Sequence, residues 1–242
     1  MNMLKNLLIY HYKIYIKSNK FIIPFLVWLI WIYSIYSTTH VSVVSNFLLS
    51  MGCLFYLMVW IGLTYMEIED SISEQLLILK ARSENIYYVS KILFLVFIGM
   101  TMSLIGVIFP IIKNIIGKSQ LYSTDITISD LGIALIFHSF VSILGVTTGT
   151  LLHPRIMKER KMAIMLTVAI ALMSIIKIPM NIEIPFTRFL TWIFPPLFNT
   201  FEWFTGKEHF IIKDVGVAIL YISVYSGIFI FFQLNFLKRN KF

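Results

Sequence analysis

The chain has 242 residues, of which 58% are hydrophobic, 16% aromatic and only 13% charged, and its mean hydropathy is +0.84. A soluble domain carries about 25% charged residues, so this composition excludes a water-facing globule, and with it a disordered chain, and calls for a surface in contact with lipid. The formal net charge of +8 then marks cytoplasmic loops and anionic headgroups rather than nucleic acid.

Residues 1–20 precede the first apolar run. At 100° per residue, Lys5, Lys13, Lys17 and Lys20 fall within an arc of about 120°, while Leu4, Leu7, Leu8, Ile14 and Tyr15 cluster opposite. An amphipathic helix lying in the membrane interface fits this pattern, and the plainer alternative is a basic anchor that only orients the chain. The segment does not read as a cleavable signal, because the next run ends in Ser37-Thr38-Thr39-His40-Val41 without a small-residue cleavage site. It is expected to stay attached. Cys53 is the single cysteine, so an intrachain disulfide is impossible.

Six apolar runs follow, at 21–37, 47–66, 92–112, 131–152, 162–178 and 215–236, and Lys177 is the only charged residue within them. A spanning helix needs about 20 apolar residues, and an ionised group in hydrocarbon costs about 2.5 to 3.5 kcal/mol. The expected fold is therefore an all-α polytopic membrane protein with six transmembrane helices, forming one permease-like domain over residues 1–242. Fourteen Lys and Arg fall on the side that holds the N-terminus, the loops after spans two and four, and the C-terminal tail; six fall on the other. The positive-inside rule places both termini in the cytoplasm, with the cell membrane as the location.

The connection at 67–91 begins with Glu67, Glu69 and Asp70, has Ser71 three residues before Glu74 as a possible capping box, and continues Gln75-Leu76-Leu77-Ile78-Leu79-Lys80. Acids at its start and Lys80 with Arg82 at its end suit a short helix and its dipole. Leu76, Leu77 and Leu79 offer apolar surface that a bare loop has no reason to display, so a partner or the bilayer surface is expected to cover it. The acids before residue 75 mark the expected place of engagement.

The run from Glu74 to Ser83, followed by Tyr87-Tyr88 and Ser90-Lys91, resembles the coupling-helix segment of the ABC-2 type permeases, the transmembrane subunits of ABC exporters. Ser73 stands where that family usually has Gly, and no Ser-Pro follows the leucines, so the chain looks like a small, divergent member. The resemblance implies coupling to a cytoplasmic ABC ATPase through Glu67, Ser71, Glu74, Gln75, Leu76, Leu77, Lys80, Arg82 and Ser83. It also implies a second permease chain, identical or similar, with ATP and Mg bound by the ATPase and no cofactor or catalytic residue in this chain.

Span two (Gly52, Phe55, Met58, Gly62) and span five (Met162, Met165, Met173) mix small, flexible and aromatic residues. Ordinary helix packing explains these residues. A path for amphipathic cargo explains them too, and the resemblance, which puts these two helices at a dimer interface, favours Phe55, Met58, Met165 and Met173 as path residues. Residues 179–213 interleave Pro179, Pro185, Pro195 and Pro196 with Trp192, Phe194, Phe198 and Trp203. This is too apolar for an ordinary loop and too broken for a span. One or two short external or re-entrant helices are expected, either capping the path, as the resemblance implies, or forming an aromatic belt.

Catalytic constellations are absent from the sequence. Gly117-Lys118-Ser119 imitates the end of a P-loop, but position 112 is Ile and no strand precedes it. Among His11, His40, His138, His153 and His209 there is no metal-ligand spacing, and Ser139 beside His138 is turned away by about 100° of helix. Lys177 reads as a snorkelling end residue before it reads as an anion ligand. No Asp or Glu lies within a span, which argues against proton-coupled transport. The leading expectation is a permease exporting amphipathic peptides such as bacteriocins or cytolytic toxins, for secretion or self-protection. Lipid, drug and ion cargo are the alternatives within that class, and a non-transporting immunity or scaffold protein is the rival outside it.

Overall fold

Local capping chemistry sets where the helices begin. In the computed structural model, which describes residues 3–117, 121–152, 154, 156–157 and 159–239, α1 runs Met3–Ser18 and α2 Ile22–Ile35. Lys118, Ser119 and His153, named above, and Arg155, Lys158 and Lys241, which belong to the fourteen Lys and Arg counted on the N-terminal side, lie outside the described residues. Ser42 accepts from the Ser45 N–H to start α3 (Val43–Tyr65), and Asp70 accepts from the Ser73 N–H at 2.7 Å to start α4 (Ser71–Ala81). Ser83 does the same for α5 (Glu84–Ile116), and Thr127 with Asp130 closes a reciprocal capping box at α6 (Ile128–Thr150). The chain then forms α7 (Arg160–Glu183), a 3-10 turn at Pro185–Thr187, α8 (Arg188–Thr191), α9 (Leu197–Glu202) and α10 (Ile212–Arg239).

Five of these helices, α3, α5, α6, α7 and α10, are long and apolar enough to cross a membrane, and they contain the second to sixth expected spans to within two residues at the ends. The first expected span differs. Its helix, α2, has 14 residues, about 21 Å of helix, short of the ~30 Å hydrocarbon core. It qualifies only together with α1, from which it is bent by 81°, so the described residues hold five helices long and apolar enough to cross a membrane, or six if this pair is one broken span.

α1 does not simply float beside the others. Leu7, His11 and Tyr15, one turn apart, are buried against the rest of the protein, whereas Leu4, Ile9, Tyr12 and Ile16 are exposed beside the lysines. The predicted apolar face is thus divided: Leu7 and Tyr15 turn inward and Leu4 outward.

The centre of the bundle is the crossing of α3 with α6. Over its most apolar stretch α3 is 61% buried, against 28% for α7 and for α10. Small residues let the two backbones meet. A Cβ on Gly149 would lie 2.3 Å from the Val59 carbonyl oxygen, and one on Gly145 would lie 2.7 Å from that of Phe55. Gly62 answers from α3, with the Val146 carbonyl 3.2 Å from its Cβ position. Gly145 and Gly149 form a Gly-x-x-x-Gly pair, the small-residue spacing that membrane helices use for close approach. Phe55 and Met58 sit in this crossing with no exposure.

The two ends of the bundle are built differently. At one end Leu7, Ala81, Tyr87, Tyr88 and Leu237 form a small apolar cluster that gathers α1, α4, the start of α5 and the end of α10. At the other, Val41 bridges Tyr122, Ser42 donates to the Lys207 carbonyl, and Asp130 accepts from the Phe210 N–H at 3.1 Å and pairs with His209 at 2.8 Å. Both terminal helices therefore reach the end that carries α4.

Candidate functional site

α4 is fixed to the bundle by a buried polar cluster assembled from four segments. Glu69, in the link between α3 and α4, pairs with Lys91 of α5 at 2.9 Å, with side-chain exposures of 5% and 2%. Tyr10 of α1 donates to Glu69 Oε1 at 2.9 Å, Tyr87 donates to Oε2, and the Lys91 ammonium lies 4.6 Å from the centre of the Tyr87 ring. His11 joins its neighbours through its two ring nitrogens, Nε2 at 2.8 Å from Ser90 Oγ and Nδ1 at 2.8 Å from Tyr65 Oη. Tyr88 donates to Glu74 Oε1 at 2.5 Å, holding α4 itself.

Burial raises the cost of ionising Glu69, but the Lys91 charge and the Tyr87 and Tyr10 hydroxyls outweigh it and hold the carboxyl below its ordinary 4.5. Because the folded value is the lower one, the stabilisation is fully present above pH 4.5 and disappears as the pH falls through the folded value. The difference in Tm between the wild type and Glu69→Gln is therefore expected to be constant from neutral pH down to about 5 and to shrink below 4.5. Thermal unfolding of both proteins across that range checks this; a difference that grows on acidification would contradict the assignment.

This cluster redistributes the residues expected to engage a partner. Glu74, Ile78 and Ala81 face inward at helical spacing, with Leu77 beside them. Glu74 is 4% exposed and serves the internal network, not the outer face or a capping box: Asp70 is the N-cap. Glu67 is likewise engaged within the chain, accepting from Arg160 Nε and Nη2 at 2.7 and 2.8 Å. Ser83 caps α5, and Arg82 takes a left-handed conformation (φ 55°) that turns the chain between α4 and α5. Ser71, Leu76 and Lys80 remain on the outer surface and Gln75 is half-buried. The outward ridge is Ile72, Leu76 and Leu79, exposed by 69%, 62% and 74%. Helical spacing from Leu76 and Leu79 would have found Ile72.

On the far side, the expected path residues are not brought together. Phe55 and Met58 are enclosed in the α3–α6 crossing, where the carbonyl of Phe55 and the Cβ of Met58 both approach Gly145, so neither lines an opening. Met165 is exposed on α7 and Met173 half-buried. α7 turns Ala163, Thr167, Ala171, Ser174 and Lys177 inward, and Tyr56 of α3 bonds Ser174 at 3.2 Å. Lys177 does not snorkel: it is 4% exposed and donates to the Phe194 carbonyl at 2.9 Å.

The proline and aromatic segment folds back along the bundle. Phe198 packs 3.5 Å from the Cβ position of Gly52, nine residues down α3 and so about 13 Å below its start. Pro195 and Pro196 are buried, Trp192 and Trp203 are exposed by 60% and 40%, and Tyr225 of α10 donates to the Trp192 carbonyl. Within the core, Ser50 and His138 do meet, at 2.8 Å. Both have no exposure, and Tyr36 and Phe47 pack around them, so this Ser–His pair is a joint between α3 and α6 without substrate access.

No family model matches the chain, and neither a curated protein nor a solved structure matches it.

Proposed function

We propose that this chain is the transmembrane subunit of an ATP-driven exporter of the ABC-2 type, working with a separate cytoplasmic ATPase and a second permease chain in the cell membrane, with both termini cytoplasmic. The observation that carries this reading is α4: a helix clamped to three other segments by a buried ion pair and tyrosine hydroxyls, yet presenting Ile72, Leu76 and Leu79 outward. Three large apolar residues in a row on a rigidly held helix mark a docking face. Because Glu69, Lys91 and Tyr88 connect α4 to α5 and α1, a push on the ridge would move those helices as one body. ATP and Mg belong to the ATPase, and amphipathic peptides are the proposed cargo.

The same ridge would also suit a helix resting on a bilayer in a non-transporting immunity or scaffold protein. Co-purification from detergent separates the two. Leu76→Asp with Leu79→Asp, both on the outer face, is expected to leave the Tm unchanged and to abolish retention of an ATP-binding subunit. Retention of the subunit with full ATP hydrolysis by that double variant would rule out docking through α4.

A further inference from the structure

Two neighbouring cavities lie along α10. The first, about 320 Å³, lies between the end of α7, the back-folded segment and α10, and it takes in Lys177, Arg188, Asn181 and Glu202. The second, about 740 Å³, descends from Ile193 past Phe229 and Phe232 to Leu152 and Phe236 and is lined by apolar and aromatic side chains. Trp192 and Tyr225 line both cavities and are hydrogen-bonded to each other, so the two are neighbours across that pair: a polar chamber beside an apolar groove.

The polar chamber carries an excess of positive charge, two cations against the single carboxylate of Glu202. Lys177 is almost completely buried, its one hydrogen bond goes to a neutral carbonyl, and it makes no ion pair among the described residues. An ammonium has three donors, and a buried charge without a counter-ion is costly, so an anion placed here would satisfy both needs. Arg188 at the rim is exposed and also makes no ion pair among the described residues; its planar fork suits phosphate oxygens. The groove below runs from Tyr225 to Phe236, about 16 Å of helix, close to half of a ~30 Å hydrocarbon core. It therefore has the length of one acyl chain's leaflet.

We propose that the two cavities form one binding site for an amphiphile with a phosphate-bearing anionic headgroup, an anionic phospholipid, with its phosphate on Lys177 and Arg188 and an acyl chain along Phe229, Phe232 and Phe236. The site stands whether or not an ATPase docks on α4. A zwitterionic headgroup would bring its own cation into a chamber that already has two, so the site discriminates by charge, and the groove discriminates against free phosphate.

The test uses the full chain in detergent, loaded with phosphatidylglycerol or phosphatidylcholine of identical acyl chains and read by native mass spectrometry. Phosphatidylglycerol is expected to be retained about tenfold better, and Arg188→Gln is expected to remove most of that preference. Ile228→Trp, which fills the groove, is expected to weaken retention with the Tm unchanged. Lys177→Met should abolish binding, and because it also frees the Phe194 carbonyl, the Arg188 and Ile228 variants carry the decision. Equal retention of the two lipids, retention unaffected by both of those variants, displacement by inorganic phosphate alone, or preferential binding of a cationic amphipathic peptide would each overturn the proposal.

Discussion

Gly149→Ala is expected to destabilise the fold strongly, although alanine is the better helix former by up to about 1 kcal/mol. The added Cβ would sit 2.3 Å from the Val59 carbonyl oxygen and 2.9 Å from its Cα, and both are backbone atoms of a helix that cannot yield without moving as a whole. The crossing of α3 and α6 would have to open, separating Gly145 from Phe55 and Gly62 from Val146 at the same time. Overpacking in a core commonly costs about 1–3 kcal/mol, and a clash against backbone belongs at or above the top of that range. Gly132 on the same helix supplies the control, since nothing lies within 4 Å of its Cβ position. Gly132→Ala should be neutral or slightly stabilising. Size-exclusion chromatography after graded heating compares the two, and equal behaviour would show that the crossing has slack.

Lys91→Met is the second large effect. Removing one partner of a buried ion pair leaves the other charge uncompensated, at a cost of about 3–5 kcal/mol. Here Glu69 would keep the Tyr10 and Tyr87 hydroxyls but lose the ammonium 2.9 Å away. The expected result is a large fall in Tm and loosening of α4, visible as faster proteolysis or hydrogen exchange over residues 67–83. Pairing it with Glu69→Gln should recover a substantial part of the loss, because a neutral amide can stay in contact with both tyrosines without demanding a cation. A double variant as unstable as Lys91→Met alone would mean that the ion pair is not the source of the effect.

How far the sequence could be read depended on the range of the interaction. The five long helices are legible because hydropathy adds along a chain, so a single polar residue does not hide an apolar run of about 20 residues. α4 is legible from its polar start and leucine run, but its N-cap is not: Asp70 and Ser71 both suit the role, and Asp70 takes it because its backbone is extended and its side chain accepts from the Ser73 N–H. Glu67 and Glu74 looked like partner-facing acids because a sequence shows charge and not its counterpart; Arg160 lies 93 residues from Glu67, and Tyr88 faces Glu74 only once α5 folds back on α4. The place of Lys177 near a span end suggests a snorkelling side chain, and only the descent of residues 184–202 along the bundle supplies the Phe194 carbonyl that holds it inside.

By itself, the sequence determined that the chain is helical, that it belongs to a membrane, and approximately where its long helices lie, because those properties rest on composition and on periodicity within one segment. Tertiary structure decided which face of each helix is internal, that α1 and the short α2 meet at 81°, and that Phe55 and Met58 belong to a packed crossing. It also decided that the exposed ridge of α4 is Ile72, Leu76 and Leu79 and that Lys177 borders a cavity next to an apolar groove. The reason is physical: a helix presents several faces of similar hydropathy in a lipid-facing protein, so burial cannot be inferred from apolarity, and close backbone approach at glycine and long-range polar pairing choose among the faces.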